Sequence, residues 1–240
     1  MGRRAHREPV EVSELRAAAR GWGATVLRVA DTARLAGLET EPADLLAAFP
    51  RAVSIGVRLS DPMLDAIVDR PTPLYSSHYS RVNAVLDDIA VRVTNLLQSG
   101  GTRALPIPAS QILDSERWTS YLSHKAVAIA AGLGWQGKSL LVVSPDHGPR
   151  LRLTTVLTDA PLAPDAPLKN RCGRCTKCRD ACPAGAIRGV NTINHYSSRD
   201  EALDFAKCVT QVRDVFGQLP HVAGLLCGVC VSVCPWGRTR

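Results

Sequence analysis

Four cysteines crowd into "RCGRCTKCRDACPAGAI" (residues 171–187) at C-x2-C-x2-C-x3-C, with Pro183 directly after the last. A second run, "CGVCVSVCPW", places Cys227, Cys230 and Cys234 at C-x2-C-x3-C and again ends in proline. Cys208, in "DFAKCVTQV", is the eighth and last cysteine of the 240-residue chain. Two [4Fe-4S] clusters need eight thiolates. Zinc modules usually take one C-x2-C knuckle plus a distant pair, whereas three cysteines two apart suit a cube whose corners lie around one loop. In two-cluster ferredoxins the cysteine before the proline ligates the other cluster. The spacing therefore predicts one cluster on Cys172, Cys175, Cys178 and Cys234, and the other on Cys182, Cys208, Cys227 and Cys230. A structural zinc module is the bland alternative. The insert between Cys182 and Cys208, with a further 19 positions to Cys227, departs from a plain ferredoxin and is expected to hold helices.

Residues 1–171 contain no cysteine. Eight thiols gathered in one part of a chain are expected to be metal ligands in a reducing compartment rather than disulfides. The start, "MGRRAHREPVEV", is basic but lacks the apolar stretch of a secretory signal and reads as a polar end. No apolar run is long enough for a membrane helix, so the expected location is cytoplasmic. The net charge of +7 suits an anionic partner or, more simply, an Arg-rich solvated surface. No basic-aromatic strip marks a nucleic-acid face.

The upstream part mixes helical and strand patterns. "VSELRAAARGWG" reads as a helix ending at Gly21 or Gly23, "ATVLRVA" as a strand, "EPADLLAAF" as a short helix and "RAVSIGVRL" as a buried strand. A long helix is expected over Tyr79 to Gln98, on Val82, Val85, Leu86, Ile89, Val93, Leu96 and Leu97, stopped by Gly100 and Gly101. A further helix is expected over Leu122 to Ala131, then "KSLLVV" and "RLRLTTVLT" as strands. "TDAPLAPDAPLKN" (Thr158 to Asn170) reads as a surface connector, which places a domain boundary near residue 163: an α/β domain over 1–163 and a two-cluster domain over 164–240.

The two cysteine runs with an isolated cysteine between them, ending in "CPW", resemble epoxyqueuosine reductase, a cobalamin-dependent iron-sulfur family related to the reductive dehalogenases. "AGLGWQGKSLLV" (Ala131 to Val142), "TTVLTDAPL" (Thr154 to Leu162) and "GTRALPIPASQ" (Gly101 to Gln111) carry the likeness upstream. The resemblance implies an α+β architecture: a nitroreductase-like α/β domain holding base-off cobalamin, then a bacterial-ferredoxin-like domain with two [4Fe-4S] clusters. It implies a reductase whose clusters deliver electrons to cobalt, fed by reduced ferredoxin or flavodoxin. On physical grounds Gly132, Gly134 and Gly137 let backbone approach a flat macrocycle, or equally serve a helix cap and a turn. Trp135 covers a ring face or fills core, and Lys138 meets a corrinoid amide or phosphate or sits at the surface. His124 and Lys125 open the preceding helix as further cofactor candidates, and His78 and Tyr79 stand before the long helix.

Two departures matter. The family's acidic proton donor, counted back from the tryptophan of "GLGW", falls on Trp118, so Asp114, Glu116 or Tyr121 is the candidate donor. The tRNA-modifying relatives continue into a helical-repeat region, whereas this sequence ends at Arg240. A small-molecule substrate is therefore expected, with a tRNA-borne one as the second choice. An electron-transfer module that reduces a partner, such as a corrinoid protein, is the alternative reading.

Overall fold

The computed structural model describes residues 9–238. Of the polar start, residues 1–8 lie outside that range; Val10, just inside it, is already buried. The chain folds as two compact units that interleave in sequence. The first takes the chain up to Val57, Asn83–Leu133 and Leu153–Ala166; the second takes Arg58–Val82, Gly134–Arg152 and the chain from Pro167. This differs from the expected linear cut near residue 163, because two upstream segments pack with the cysteine-bearing part.

In the first unit a four-stranded sheet runs in the order β1 (Val26–Asp31), β2 (Arg51–Arg58), β6 (Leu151–Thr158), β3 (Ala104–Ile107). β1 pairs antiparallel with β2, Val29 opposite Val53, and β3 antiparallel with β6, Ile107 opposite Thr155. β6, the strand expected in "RLRLTTVLT", lies between β2 and β3 and is buried on both faces from Leu153 to Thr158. α1 (Val12–Gly21) buries Leu15 and Ala19 and ends where the sequence places its stop. α4 (His124–Ala130) is capped by the Ser123 hydroxyl and sends Val127 and Ala130 into a core with Ala30, Leu35, Ala52, Ile107 and Leu157. Each fully buried aliphatic side chain there contributes about 1.5–3 kcal/mol.

The long helix, α3 (Pro73–Ser99), starts one and a half turns earlier than expected, with Pro73 at its first position, where a missing N–H costs nothing. Val82, Leu86, Ile89, Val93 and Leu97 are buried as the periodicity requires, but Val85 is 41% exposed. "EPADLLAAF" forms turns rather than a helix, and Glu41–Pro42 is cis. The Thr158–Asn170 stretch is no loose connector. Ala160 and Leu162 are buried. Asp165 accepts from Arg16 at 2.7 Å, from Arg28 at 3.1 Å and from the Val29 amide at 2.8 Å.

The second unit has little regular structure: α2 (Asp61–Asp65), the start of α3, a short antiparallel pair β4 (Trp135–Gln136) and β5 (Val142–Val143), and the small helices α5 (Lys177–Asp180), α6 (Phe205–Thr210) and α7 (Val229–Ser232). "KSLLVV" thus supplies only two strand residues. The insert between the cysteine runs does hold helix, in α6 and a 3-10 turn at Arg199–Glu201. Its core comprises Leu140, Ala186, Ile187, Tyr196, Ala202 and Leu203, and the half-buried Cys178, Cys182, Cys208 and Cys230 pack against it.

Candidate metal centre

The cysteines sit where short backbone turns can present their sulfurs inward. Cys172 follows Asn170, whose side chain accepts from the Cys172 amide at 2.8 Å and donates to the Gln136 carbonyl at 2.7 Å. Gly173 takes φ +53°, which bends the chain so that the Cys175 amide returns to the Cys172 carbonyl. Cys178 lies on α5, and Cys182 follows that helix, accepting from the Ala186 amide at 3.4 Å. α6, capped by Asp204, carries Cys208. α7 carries Cys230, with Cys227 before it and Cys234 after it. Gly228, the N-cap of α7 at φ +87°, lies so close to Ile67 and Tyr75 that a Cβ there would stand 2.7–2.8 Å from them.

All eight cysteines are free thiols, and each is partly buried. Burial pushes the Cys234 thiol up to about 11, and the neighbouring Cys172, Cys178 and Cys175 push in the same direction. Burial likewise lifts Cys178, helped by Cys172 and Cys175. Cys227 is raised by burial to about 11, with Cys208 and Cys182 adding to it. Cys230 is raised well above its usual value by burial, then by Cys227, Cys208, Cys178 and Cys182. Cys234 thus neighbours Cys172, Cys175 and Cys178, and Cys227 neighbours Cys182 and Cys208, while Cys230 has Cys178 beside it as well as Cys182, Cys208 and Cys227. Eight half-buried cysteines, none in a disulfide, are a donor set that fits two four-thiolate iron-sulfur cubes. Among the described residues no group of three or more His, Cys, Asp or Glu is arranged to hold a single metal ion.

The "GLGWQGK" stretch is drawn to the first cysteine run rather than opened to a macrocycle. Trp135 has no exposed surface; its indole N–H donates to Cys172 Sγ at 3.4 Å and its ring meets Trp236 edge-on at 4.9 Å. Lys138, 5% exposed, donates through Nζ to the carbonyls of Gly173 at 2.9 Å and Cys175 at 3.0 Å. A Cβ at Gly134 would overlap the Val143 carbonyl, and one at Gly137 would stand 2.7 Å from Val143 Cγ2 and 3.8 Å from Cys172 Sγ. These two glycines admit the β4–β5 crossing. Gly132, at φ +67°, ends α4. Gln136 was not singled out in the sequence, yet its carbonyl and Oε1 receive Asn170 and the Tyr196 amide. Only its place between Trp135 and Lys138 signals that role.

In the first unit, His124 is committed at both ring nitrogens, Nδ1 to Thr155 Oγ1 at 2.9 Å and Nε2 to the Pro108 carbonyl at 2.8 Å. Lys125 is exposed on the first turn of α4. Asp114 bridges to Thr119 in a tight loop where Trp118 takes φ +55°. The amides of Arg117 and Glu116 donate to its carboxylate and hold it below the usual carboxylate value. It is thus ionised at neutral pH. Tyr121 packs half-buried against the α4 core, and its carbonyl accepts from Glu41. In the second unit, His78 lies within α3 and accepts the Ser60 amide on Nε2, while Tyr79 lies under the Arg152 guanidinium at 4.0 Å. Of the residues named for cobalamin, His124, Trp135 and Lys138 have these partners, Gly132, Gly134 and Gly137 serve a helix end and a close strand approach, and Lys125 is exposed.

Residues 171–237 match the 4Fe-4S double cluster binding domain. Epoxyqueuosine reductase from Bacillus subtilis is 33% identical over 129 residues, 51% of this chain and 31% of the relative. That from Synechococcus sp. (strain RCC307) is 39% identical over 124 residues, 49% of this chain and 35% of the relative. The matched stretch spans about a third of these relatives' length. A reductive dehalogenase, whose structure is described as suggesting a mechanism for B12-dependent dehalogenation, superposes with TM-score 0.76 at 21% identity, over 99% of this chain and 35% of that one. Epoxyqueuosine reductase with an epoxyqueuosine-modified tRNA-Tyr stem loop superposes with TM-score 0.61 at 23% identity, over 94% of this chain and 64% of that one. The chain thus resembles epoxyqueuosine reductase in sequence, shares its fold with that enzyme and the reductive dehalogenases, and matches a double-cluster domain across both cysteine runs.

Proposed function

We propose that this protein is an iron-sulfur reductase of the epoxyqueuosine reductase type. One [4Fe-4S] cluster is held by Cys172, Cys175, Cys178 and Cys234, the other by Cys182, Cys208, Cys227 and Cys230. The observation that carries this reading is that thiols of both cysteine runs come together, Cys234 beside Cys172, Cys175 and Cys178, and Cys227 beside Cys182 and Cys208. When bound, the clusters supply one-electron transfer. The chain's own part is to fix the sulfurs on short turns, to pack Cys178, Cys182, Cys208 and Cys230 against Leu140, Ile187, Tyr196 and Leu203, and so to keep water from the metal. The electron donor in this reading is a reduced ferredoxin or flavodoxin.

Cobalamin is the proposed second cofactor, supported by the fold shared with a dehalogenase described as B12-dependent. Because His124, Trp135 and Lys138 are engaged elsewhere, no step is assigned to it. A small molecule is the proposed substrate, with a tRNA-borne epoxide second; the tRNA stem loop bound to one epoxyqueuosine reductase supports the latter. Those same engaged residues favour the alternative, an electron carrier that serves a partner. Anaerobic reconstitution followed by cobalamin titration decides between the two. About eight irons per chain and a shifted base-off cobalamin spectrum support the reductase. Eight irons without cobalamin binding leave the carrier, and a colourless zinc protein overturns both.

A further inference from the structure

Lys138 presents a charge problem. The residue is 5% exposed, and its ammonium donates to two neutral carbonyls, those of Gly173 and Cys175; among the described residues no carboxylate pairs with it. Taking an ammonium out of water without a counter-charge is unfavourable. The other fully buried cation of this unit, Arg150, is matched by Asp61 and Asp65. Lys138 instead has its charge within the loop that carries Cys172 and Cys175. A four-thiolate iron-sulfur cube is anionic and gains a further negative charge on reduction. Three positions earlier, the Trp135 indole N–H points at Cys172 Sγ. Hydrogen bonds to cluster sulfurs and nearby positive charge both stabilise the reduced form.

The second quartet has different surroundings. Cys182, Cys208 and Cys230 pack against Leu140, Ala186, Ile187, Leu203 and Phe205, a cluster that Cys178 of the first quartet also touches. Backbone amides reach the second quartet's sulfurs, Ala186 to Cys182 at 3.4 Å and Val229 to Cys227, but among the described residues no indole or unpaired ammonium is seen there. Lys207, on the same helix as Cys208, is neutralised by Asp204 at 3.6 Å.

We propose that Trp135 and Lys138 make the cluster on Cys172, Cys175, Cys178 and Cys234 the higher-potential member of the pair, so that an electron from an external one-electron donor comes to rest there. This rests on the two-cluster reading above. It concerns which cube accepts the electron, a property that cysteine spacing leaves open.

The test is a reductive titration of the anaerobic holoprotein with dithionite, followed by electron paramagnetic resonance. The native protein should reduce in two steps, and Cys178→Ser should move or abolish the higher one. Lys138→Met should shift the higher step down towards the lower, leave the lower in place and keep about eight irons per chain. Lys138→Arg should restore most of the shift. Trp135→Phe, which retains the charge, should lower the same step by a smaller amount, and it carries the test if Lys138→Met does not assemble. A higher step unmoved in Trp135→Phe and Lys138→Met, or a shift confined to the lower step, overturns the inference while the eight irons still stand. A native protein without eight irons overturns the cluster reading itself.

Discussion

The guanidinium of Arg150, which has no exposed surface, donates to the Asp61 carboxylate at 2.9 Å. Its other terminal nitrogen reaches Asp65 at 3.1 Å and the Ser232 carbonyl at 3.3 Å, between Cys230 and Cys234. Removing one partner of a buried ion pair leaves the other charge stranded. Asp61→Asn should lower the apparent denaturation midpoint, at a cost of about 2–3 kcal/mol given the partial exposure of Asp61. Asp65, 58% exposed, should cost less than about 1 kcal/mol as Asn. Anaerobic urea melts of the two variants check the order, and equal losses would contradict it.

Gly148 and Gly237 bring two backbones together. A Cβ on Gly148 would overlap the Trp236 carbonyl, and one on Gly237 would overlap His147. Both also sit at positive φ, +55° and +76°. Gly148→Ala should cost well over the roughly 1–3 kcal/mol of backbone strain and lower the iron content, because the turn that follows Cys234 must shift. Gly173→Ala, with nothing within 4 Å at φ +53°, should show the strain alone. Iron assays beside thermal melts separate the two cases.

His78 Nε2 accepts the Ser60 amide at 3.0 Å, so the ring must be unprotonated there. Burial first, and Arg81 second, hold its pKa below the usual 6.5. The unfolded chain then binds the proton more readily than the folded one. Stability is complete above about pH 6.5 and falls as pH drops through the lower folded value. His147, lowered by burial and by Arg58, with Asp146 and Asp61 opposing, acts in the same direction. His78→Gln, which keeps an acceptor, should flatten the decline between about pH 7 and about pH 5.5. Melts of the two proteins across that range should diverge only at the acid end.

Cys208 stands alone in sequence but shares its neighbourhood with Cys182, Cys227 and Cys230. Cys208→Ser should therefore cut the iron content from about eight towards about four and spare the higher-potential signal. Equal loss of both signals would argue against the pairing.

Much of the first unit was legible because its elements obey local periodicity. α1 ends at Gly21, β2 follows the apolar run from Arg51, and α3 buries the stripe from Val82 to Leu97. The spacing of the cysteines also marked a double-cluster segment, since the reach of a short loop is itself a local property. What the sequence concealed was long-range. A glycine-rich stretch with Trp and Lys suits a macrocycle as well as a cysteine loop, and only the fold sends Trp135 to Cys172 and Lys138 to Cys175. Asp165 likewise reads as a connector residue until Arg16 and Arg28 converge on it.

Because Gly134–Arg152 and Arg58–Val82 share a compact unit with the cysteine runs, the metal-carrying half is no portable cassette. Cutting the chain at residue 164 and grafting the remainder onto another scaffold would leave behind the indole, the ammonium and the guanidinium that its loops lean on. Any redesign of this protein as an electron relay has to transplant three separate ribbons of sequence together.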